Sequence, residues 1–220
     1  MLAKAPSPGR SKTRLTPPCT PEQAAALARA ALTDTLDVVL ATAAKRRVLV
    51  LDGDPRPWRA DGLEILTQRP GGLGARLTGA FADVGVPALL VGMDTPQITA
   101  DLLSDGLDRL AAPGASAILG PAPDGGYWAI GLSGHIAGTF DGVPMSSADT
   151  ATCQRRRLTE LGLEIDDLPV LRDFDTLTDA RAVAHQAPNS RFAAELARVE
   201  AAVTRGARPP ASLDVSWRVR

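Results

Sequence analysis

The sequence predicts an α/β fold built on a mainly parallel sheet, and three observations carry that prediction. Short apolar runs of strand length, such as residues 48–51 and 87–91, are separated by segments with helix starts and helical apolar spacing. The run 87–91 ends at Gly92, delivers a carboxylate at Asp94, and passes through Pro96 to Thr99, a plausible helix N-cap. An acid between a strand and a helix lies at the carboxyl edge of a parallel sheet, where open α/β folds hold ligands. By spacing alone, Asp94 serves a ligand or merely caps the turn. Third, after residues 116–119 the chain enters no helix. It returns through Asp124-Gly125-Gly126 into residues 127–132, which predicts an antiparallel strand inserted into a mixed sheet.

In chain order, residues 1–5 read as the end of a first strand, short against the usual ~5–6 residues. Either its start lies upstream or the strand is trimmed. Residues 6–20 form a loop stiffened by Pro6, Pro8, Pro17 and Pro18. It carries Arg10, Lys12 and Arg14, an anion-binding candidate set between a strand and a helix. That helix begins with Thr20 as N-cap, Pro21 at N1 and Gln23 completing a capping box. Leu32, Leu36, Val39 and Leu40 mark its buried face, and it is expected to reach about Ala44. Residues 48–51 and 63–67 are the second and third strands. Gly71-Gly72-Leu73-Gly74 then lets backbone approach a flat ligand or a phosphate, although such a string is also an ordinary turn.

The strand over 87–91 is expected to be buried on both faces. Its helix follows Thr99 to about Ala112, with Ile98 and Leu103 spaced as a hydrophobic staple. Beyond the return strand, residues 133–147 are irregular. A helix over 148–161 carries Arg155, Arg156 and Arg157 on what reads as a solvated face, and 164–170 is a further strand candidate. Thr176 or Asp175 caps a helix through Ala187. Phe192, Leu196, Val199 and Val203 form the core stripe of a last helix. Residues 206–220 read as a loose tail, leaving a single domain over 1–205 with no repeat and no dividing linker.

The chain's 220 residues suffice for a core that hides roughly 70% of the unfolded surface. Lys and Arg total 24 against 25 Asp and Glu, a net charge of −1. This balance offers nothing to a nucleic-acid partner or a polybasic membrane contact. Cys19 and Cys153 form no CxxC and read as free thiols in a reducing compartment. No apolar run approaches the ~18–20 residues of a membrane span, and no signal-type apolar region opens the chain. The expected location is the cytoplasm. His135 and His185 are too few for a histidine metal site or a triad.

The basic loop, the glycine-rich loop and Asp94 all belong to one edge of such a sheet. Cations suit phosphates, and a divalent metal bridges phosphate oxygens to a carboxylate. Mg²⁺ keeps several waters and needs only one or two protein carboxylates, so a sparse acidic set is sufficient. Gly9-Arg10-Ser11-Lys12-Thr13 is not a Walker A loop, because Ser11 stands where glycine must precede the lysine. Asp173-Phe174-Asp175-Thr176-Leu177 brushes against the acid pair of haloacid-dehalogenase-type phosphatases. It lacks the glycine after the second acid and lies far from the N-terminus.

Residues 4–15, Lys-Ala-Pro-Ser-Pro-Gly-Arg-Ser-Lys-Thr-Arg-Leu, resemble the AKAPxPGxxKTRL signature of a bacterial family, domain of unknown function 2064 (DUF2064). Residues 72–77, 92–96 and 121–132 agree with it, so the likeness spans about residues 3–180. The resemblance implies a GT-A-like three-layer α/β/α fold with a mixed, mainly parallel sheet, as in nucleotide-diphospho-sugar transferases. It is similar at a distance to phospholactate and molybdenum-cofactor guanylyltransferases. It implies a glycosyltransferase or nucleotidyltransferase that takes a nucleotide-sugar or NTP, Mg²⁺ or Mn²⁺, and a small-molecule acceptor. By that likeness Lys12 and Arg14 hold phosphates, with Lys4, Pro6, Gly9 and Arg76 also on the nucleotide. Gly72 and Gly74 line the base or ribose. Asp94 binds metal, and Asp173 or Asp175 adds a second metal contact, with Asp175 the choice here. Asp124 faces the acceptor, and Lys12, Asp94 and Asp124 form the catalytic set. Two positions depart from the pattern. Leu177 stands where relatives carry proline, and residues 145–149 replace a tryptophan-serine-threonine string. With the short first strand, these leave a second expectation: a non-catalytic nucleotide-binding module that keeps the fold.

Overall fold

The computed structural model describes residues 1–206 except 115, 135 and 136. His135 and the expected tail beyond Gly206 lie outside the described residues. The strands are β1 (Leu2–Lys4), β2 (Val48–Asp52), β3 (Glu64–Thr67), β4 (Ala88–Val91), β5 (Ala117–Pro121), β6 (Tyr127–Leu132) and β7 (Ile165–Asp167). The helices are α1 (Pro21–Ala41), α2 (Leu73–Val84), α3 (Ala100–Ala111), α4 (Thr150–Glu160), α5 (Leu177–Gln186) and α6 (Arg191–Gly206). The order is α/β, as expected, with the mixed pairing that the Asp-Gly-Gly return implied.

Helix starts follow local chemistry. Thr20 accepts from the Gln23 amide while the Gln23 side chain accepts from the Thr20 amide, a full capping box with Pro21 at N1. Thr99 accepts from Leu102, and Ile98 and Leu103 are both buried in one cluster, as a staple requires. Thr176, rather than Asp175, caps α5, in a second capping box with Asp179. α1 stops at Ala41, short of Ala44, because Thr42 has already turned extended.

The strands form two ladders. β1-β2-β3 is parallel throughout; the other has the order β4-β6-β5-β7, with β6 antiparallel to both neighbours and β5 parallel to β7. One side of both ladders packs Leu49, Leu51, Ile118 and Ala129 against Leu32 and Leu36 of α1 and Leu103 and Leu110 of α3. The opposite side packs Leu119, Ile130 and Leu132 against Leu77 and Phe81 of α2 and Leu158 of α4. This is the three-layer arrangement. A further cluster lies behind α1, where Leu27 and Ala31 meet Phe174, Val183, Phe192, Leu196 and Val199.

One expectation is corrected. The strand over 87–91 was read as buried on both faces, yet Ala88, Leu89 and Leu90 are half-buried and only Val91 is buried. β4 ends its ladder, and an open groove lined by Val86, Leu89, Leu90 and Leu107 runs beside it. The arginines of α4 also differ from a purely solvated face. Arg155 pairs with Asp167 on β7, and Arg157 donates to the Gly138 carbonyl. No helix among the described residues is long and apolar enough to cross a membrane.

Candidate functional site

A cavity of about 710 Å³ opens at the carboxyl ends of β1 and β4. From β1 it takes Lys4, from the loop after β4 Gly92, Met93 and Asp94, and from α2 Arg76. The long basic loop contributes Arg10, Lys12 and Arg14. Asp124, Ser146, Ser147, Asp173 and Asp175 complete the lining.

Each wall is fixed by its own local structure. Leu15, 1% exposed, anchors the basic loop in the cluster behind α1. Lys12 stands just before a single 3-10 turn, Thr13–Leu15, with φ +48, a left-handed value uncommon outside glycine. The turn aims its ammonium inward, 4.3 Å from the centre of the Phe174 ring. Lys12 Nζ lies 3.0 Å from Asp94 Oδ2 and 3.0 Å from Asp175 Oδ1, and the side chain is only 9% exposed. Burial by itself lowers a lysine pKa, but the two carboxylates outweigh it and hold Lys12 above its ordinary value. Arg14 donates to Asp175 Oδ2 at 2.6 Å. Burial alone would raise Asp175; Lys12 and Arg14 overcome that and hold it below the usual carboxylate range.

The second oxygen of Asp94, Oδ1, is buried with no hydrogen-bond partner. An orphaned carboxylate oxygen inside a polar cavity fits a hard cation. Among the described residues no three His, Cys, Asp or Glu side chains converge to hold a metal unaided. Asp94 and Asp175 therefore fit Mg²⁺ or Mn²⁺ only as a two-carboxylate site completed by water or by a ligand's oxygens. In the same cavity, burial and the neighbouring Asp124 raise Asp173 to about 6.

The position of Asp124 is set by one glycine. Gly125 has φ +89, and a Cβ there would fall 1.8 Å from the Ala148 carbonyl oxygen. Its own carbonyl accepts from Ala151 at 2.8 Å. The turn that carries Asp124 is thus locked to the loop carrying Ser146 and Ser147. Asp124 itself accepts from the Gly126 amide at 2.8 Å.

Of the residues singled out in the sequence, Lys4, Lys12, Arg14, Arg76, Asp94, Asp124 and Asp175 line this one cavity, while Pro6, Gly9, Gly72 and Gly74 do not. Gly72 is the N-cap of α2 with open space around it, and Gly74 faces Phe140 and Met145. Gln68 was missed. Its amide nitrogen donates to the Ala3 and Val50 carbonyls, and its oxygen accepts from Arg76, tying β1 and β2 to the cavity's arginine. A polar side chain closing an apolar strand was the available signal.

The family described as "Uncharacterized protein conserved in bacteria (DUF2064)" matches residues 26–147. The chain belongs to this family. No curated protein is similar to it at a significant level. Among solved structures, this DUF2064 protein is similar to a provisionally named nucleotide-diphospho-sugar transferase from Desulfovibrio desulfuricans G20. The two are 27% identical, with 93% of this chain and 96% of that one covered and a TM-score of 0.82. It shares a fold with a Leptospira borgpetersenii cytidylyltransferase, at 12% identity, 92% and 93% coverage and a TM-score of 0.55. It also shares one with Rv0371c of Mycobacterium tuberculosis in complex with manganese, at 22% identity, 84% and 96% coverage and a TM-score of 0.50. The DUF2064 chain thus has the fold of the nucleotide-diphospho-sugar transferases.

Proposed function

We propose that this DUF2064 protein is a metal-dependent transferase that takes a nucleotide-sugar or an NTP and passes a glycosyl or nucleotidyl group to a small-molecule acceptor. The observation that carries the reading is the meeting of Lys12 with Asp94 and Asp175 in a cavity also lined by Lys4, Arg14 and Arg76. Cations and carboxylates side by side in one cavity complement a metal-chelated diphosphate. Asp94, with its orphaned oxygen, and Asp175 would hold Mg²⁺ or Mn²⁺. The ion would supply charge neutralisation on the diphosphate. The likeness to the D. desulfuricans protein supports the donor class, and the manganese complex of Rv0371c supports the ion. Residues 1–205 form the proposed transferase unit, and two free cysteines, Cys19 and Cys153, fit a reducing, cytoplasmic setting.

In this reading the chain works mainly by positioning and by charge placed in advance. Lys4, Lys12, Arg14 and Arg76 take phosphate oxygens. Asp124 and Asp173 face the acceptor. Asp173, lifted to about 6, is suited to accept a proton from an acceptor hydroxyl near neutral pH. The test is a thermal-shift screen of nucleoside diphosphates, NTPs and nucleotide-sugars with and without Mn²⁺, on wild type and Asp94→Ala. A Mn²⁺-dependent rise in Tm that vanishes in Asp94→Ala is expected. Equal shifts in both proteins, or none with any nucleotide, would overturn the assignment. Turnover is then read as release of diphosphate or nucleoside diphosphate, whereas binding without release would mark a non-catalytic module.

A further inference from the structure

Lys12 has two claims on it. The transferase reading assigns it to phosphate, yet in the structure its ammonium is spent on Asp94 and Asp175, the two carboxylates assigned to metal. We propose that Lys12 is an internal counter-ion holding the metal position closed, and that a diphosphate group opens it by drawing the lysine away. The inference rests on the transferase reading and adds an order of events: a divalent ion gains both carboxylates only when a phosphate ligand has taken Lys12.

Four observations point this way. The ammonium contacts both acids at the same 3.0 Å, so it stands on the shared ground a bridging cation would need. Arg14 holds the other oxygen of Asp175, so both oxygens of that carboxylate already face a cation. No third acidic, histidine or cysteine ligand converges there among the described residues, so a divalent ion arriving alone has little to outbid the lysine with. Asp94 Oδ1 remains unpartnered, an acceptor in reserve for the state in which the lysine has left. Two carboxylates this close repel each other, so the pair favours a cation between them, and Lys12 is that cation in the structure. A diphosphate supplies both halves of the exchange: anionic oxygens for Lys12 and Arg14, and further metal ligands. Binding of metal and diphosphate is then mutually favourable, each raising the affinity for the other by the same factor.

The experiment measures Mn²⁺ binding to the full chain in the absence of any nucleotide, by calorimetry or by the EPR signal of free Mn²⁺. The gate predicts weak binding to wild type and at least tenfold tighter binding to Lys12→Met and Lys12→Gln. Lys12→Arg, which keeps the charge, should stay weak. Addition of Asp94→Asn to Lys12→Met should abolish the gain. A lysine that serves phosphate alone predicts the same Mn²⁺ affinity in wild type and neutral variants, and that result in folded proteins overturns the gate. Should both neutral variants fail to fold, the wild-type ammonium signal in ¹⁵N NMR, assigned by its loss in Lys12→Arg, decides. The gate expects inorganic diphosphate to shift it and Mn²⁺ alone to leave it sharp; broadening by Mn²⁺ alone overturns it. Failure of every nucleotide to bind would instead remove the transferase reading, and the Mn²⁺ comparison would still decide the role of Lys12.

Discussion

At the scale of single residues, the site is a balance of charge in restricted water. Asp173 illustrates how far that balance reaches into stability. Its pKa is about 6 in the folded protein, raised first by burial and then by Asp124, against about 3.8 for an ordinary aspartate. The folded state therefore holds the proton more tightly, so Asp173 favours folding below about pH 4. That contribution is lost as pH rises toward and through 6. Asp173→Asn should accordingly raise Tm at pH 7 to 8 relative to wild type, with the difference disappearing below about pH 4. Paired thermal melts across that range check it, and a constant difference would contradict the assignment. The same substitution should lower turnover, the ordinary trade between a charged site and a stable one.

At the scale of elements, two turns hold the acids in place. Thr176 caps α5 and shares Asp179 with Arg172, which donates to that carboxylate at 2.8 Å. This fixes the residue immediately after Asp175. Thr176→Ala should cost about 1 kcal/mol by urea denaturation and weaken Mn²⁺-dependent nucleotide binding. The second turn is at Gly125. Its φ of +89 and the Ala148 carbonyl oxygen 1.8 Å from a would-be Cβ forbid any side chain without movement of one loop. Gly125→Ala should cost roughly 2–4 kcal/mol and displace Asp124. Gly72→Ala is the control: with φ −67 and open space about it, the loss should stay below about 1 kcal/mol. Denaturant midpoints for the pair separate a glycine required by geometry from one that is only convenient.

At the scale of the whole molecule, the site depends on a cluster on the far side of α1 from the sheet. Phe174 and Phe192 are both fully buried, with ring centroids 4.5 Å apart, and Phe174 also forms the floor under Lys12. α6 thus supports the cavity through one aromatic contact without lining it. Phe192→Ala should cost about 3–5 kcal/mol with an unchanged urea m-value, and should weaken nucleotide binding although the residue touches no ligand. The strand and helix content was legible because apolar period and capping are local. Thr20-Pro21-Gln23 and Thr99 named their helices, and the Asp-Gly-Gly return named β6 as antiparallel. The half-burial of Leu89 and Leu90 was not legible, since an apolar run reads the same in a central strand and beside a groove.

Sequence by itself determined what depends on near neighbours: the α/β order, the helix starts, the polar loops at strand ends, and the family likeness carried by residues 4–15 and 121–132. Tertiary structure decided which of those loops share a cavity, and in what pairing. Lys12 meets Asp175 across 163 positions of sequence, and Gln68 reaches Ala3 across 65. The first is set by how α1, α5 and α6 pack around Phe174 and the second by the parallel pairing of β1, β2 and β3, long-range arrangements that no local spacing encodes. The ion pairs of Lys12 exist only because that packing brings one cation between two acids that the chain itself keeps far apart.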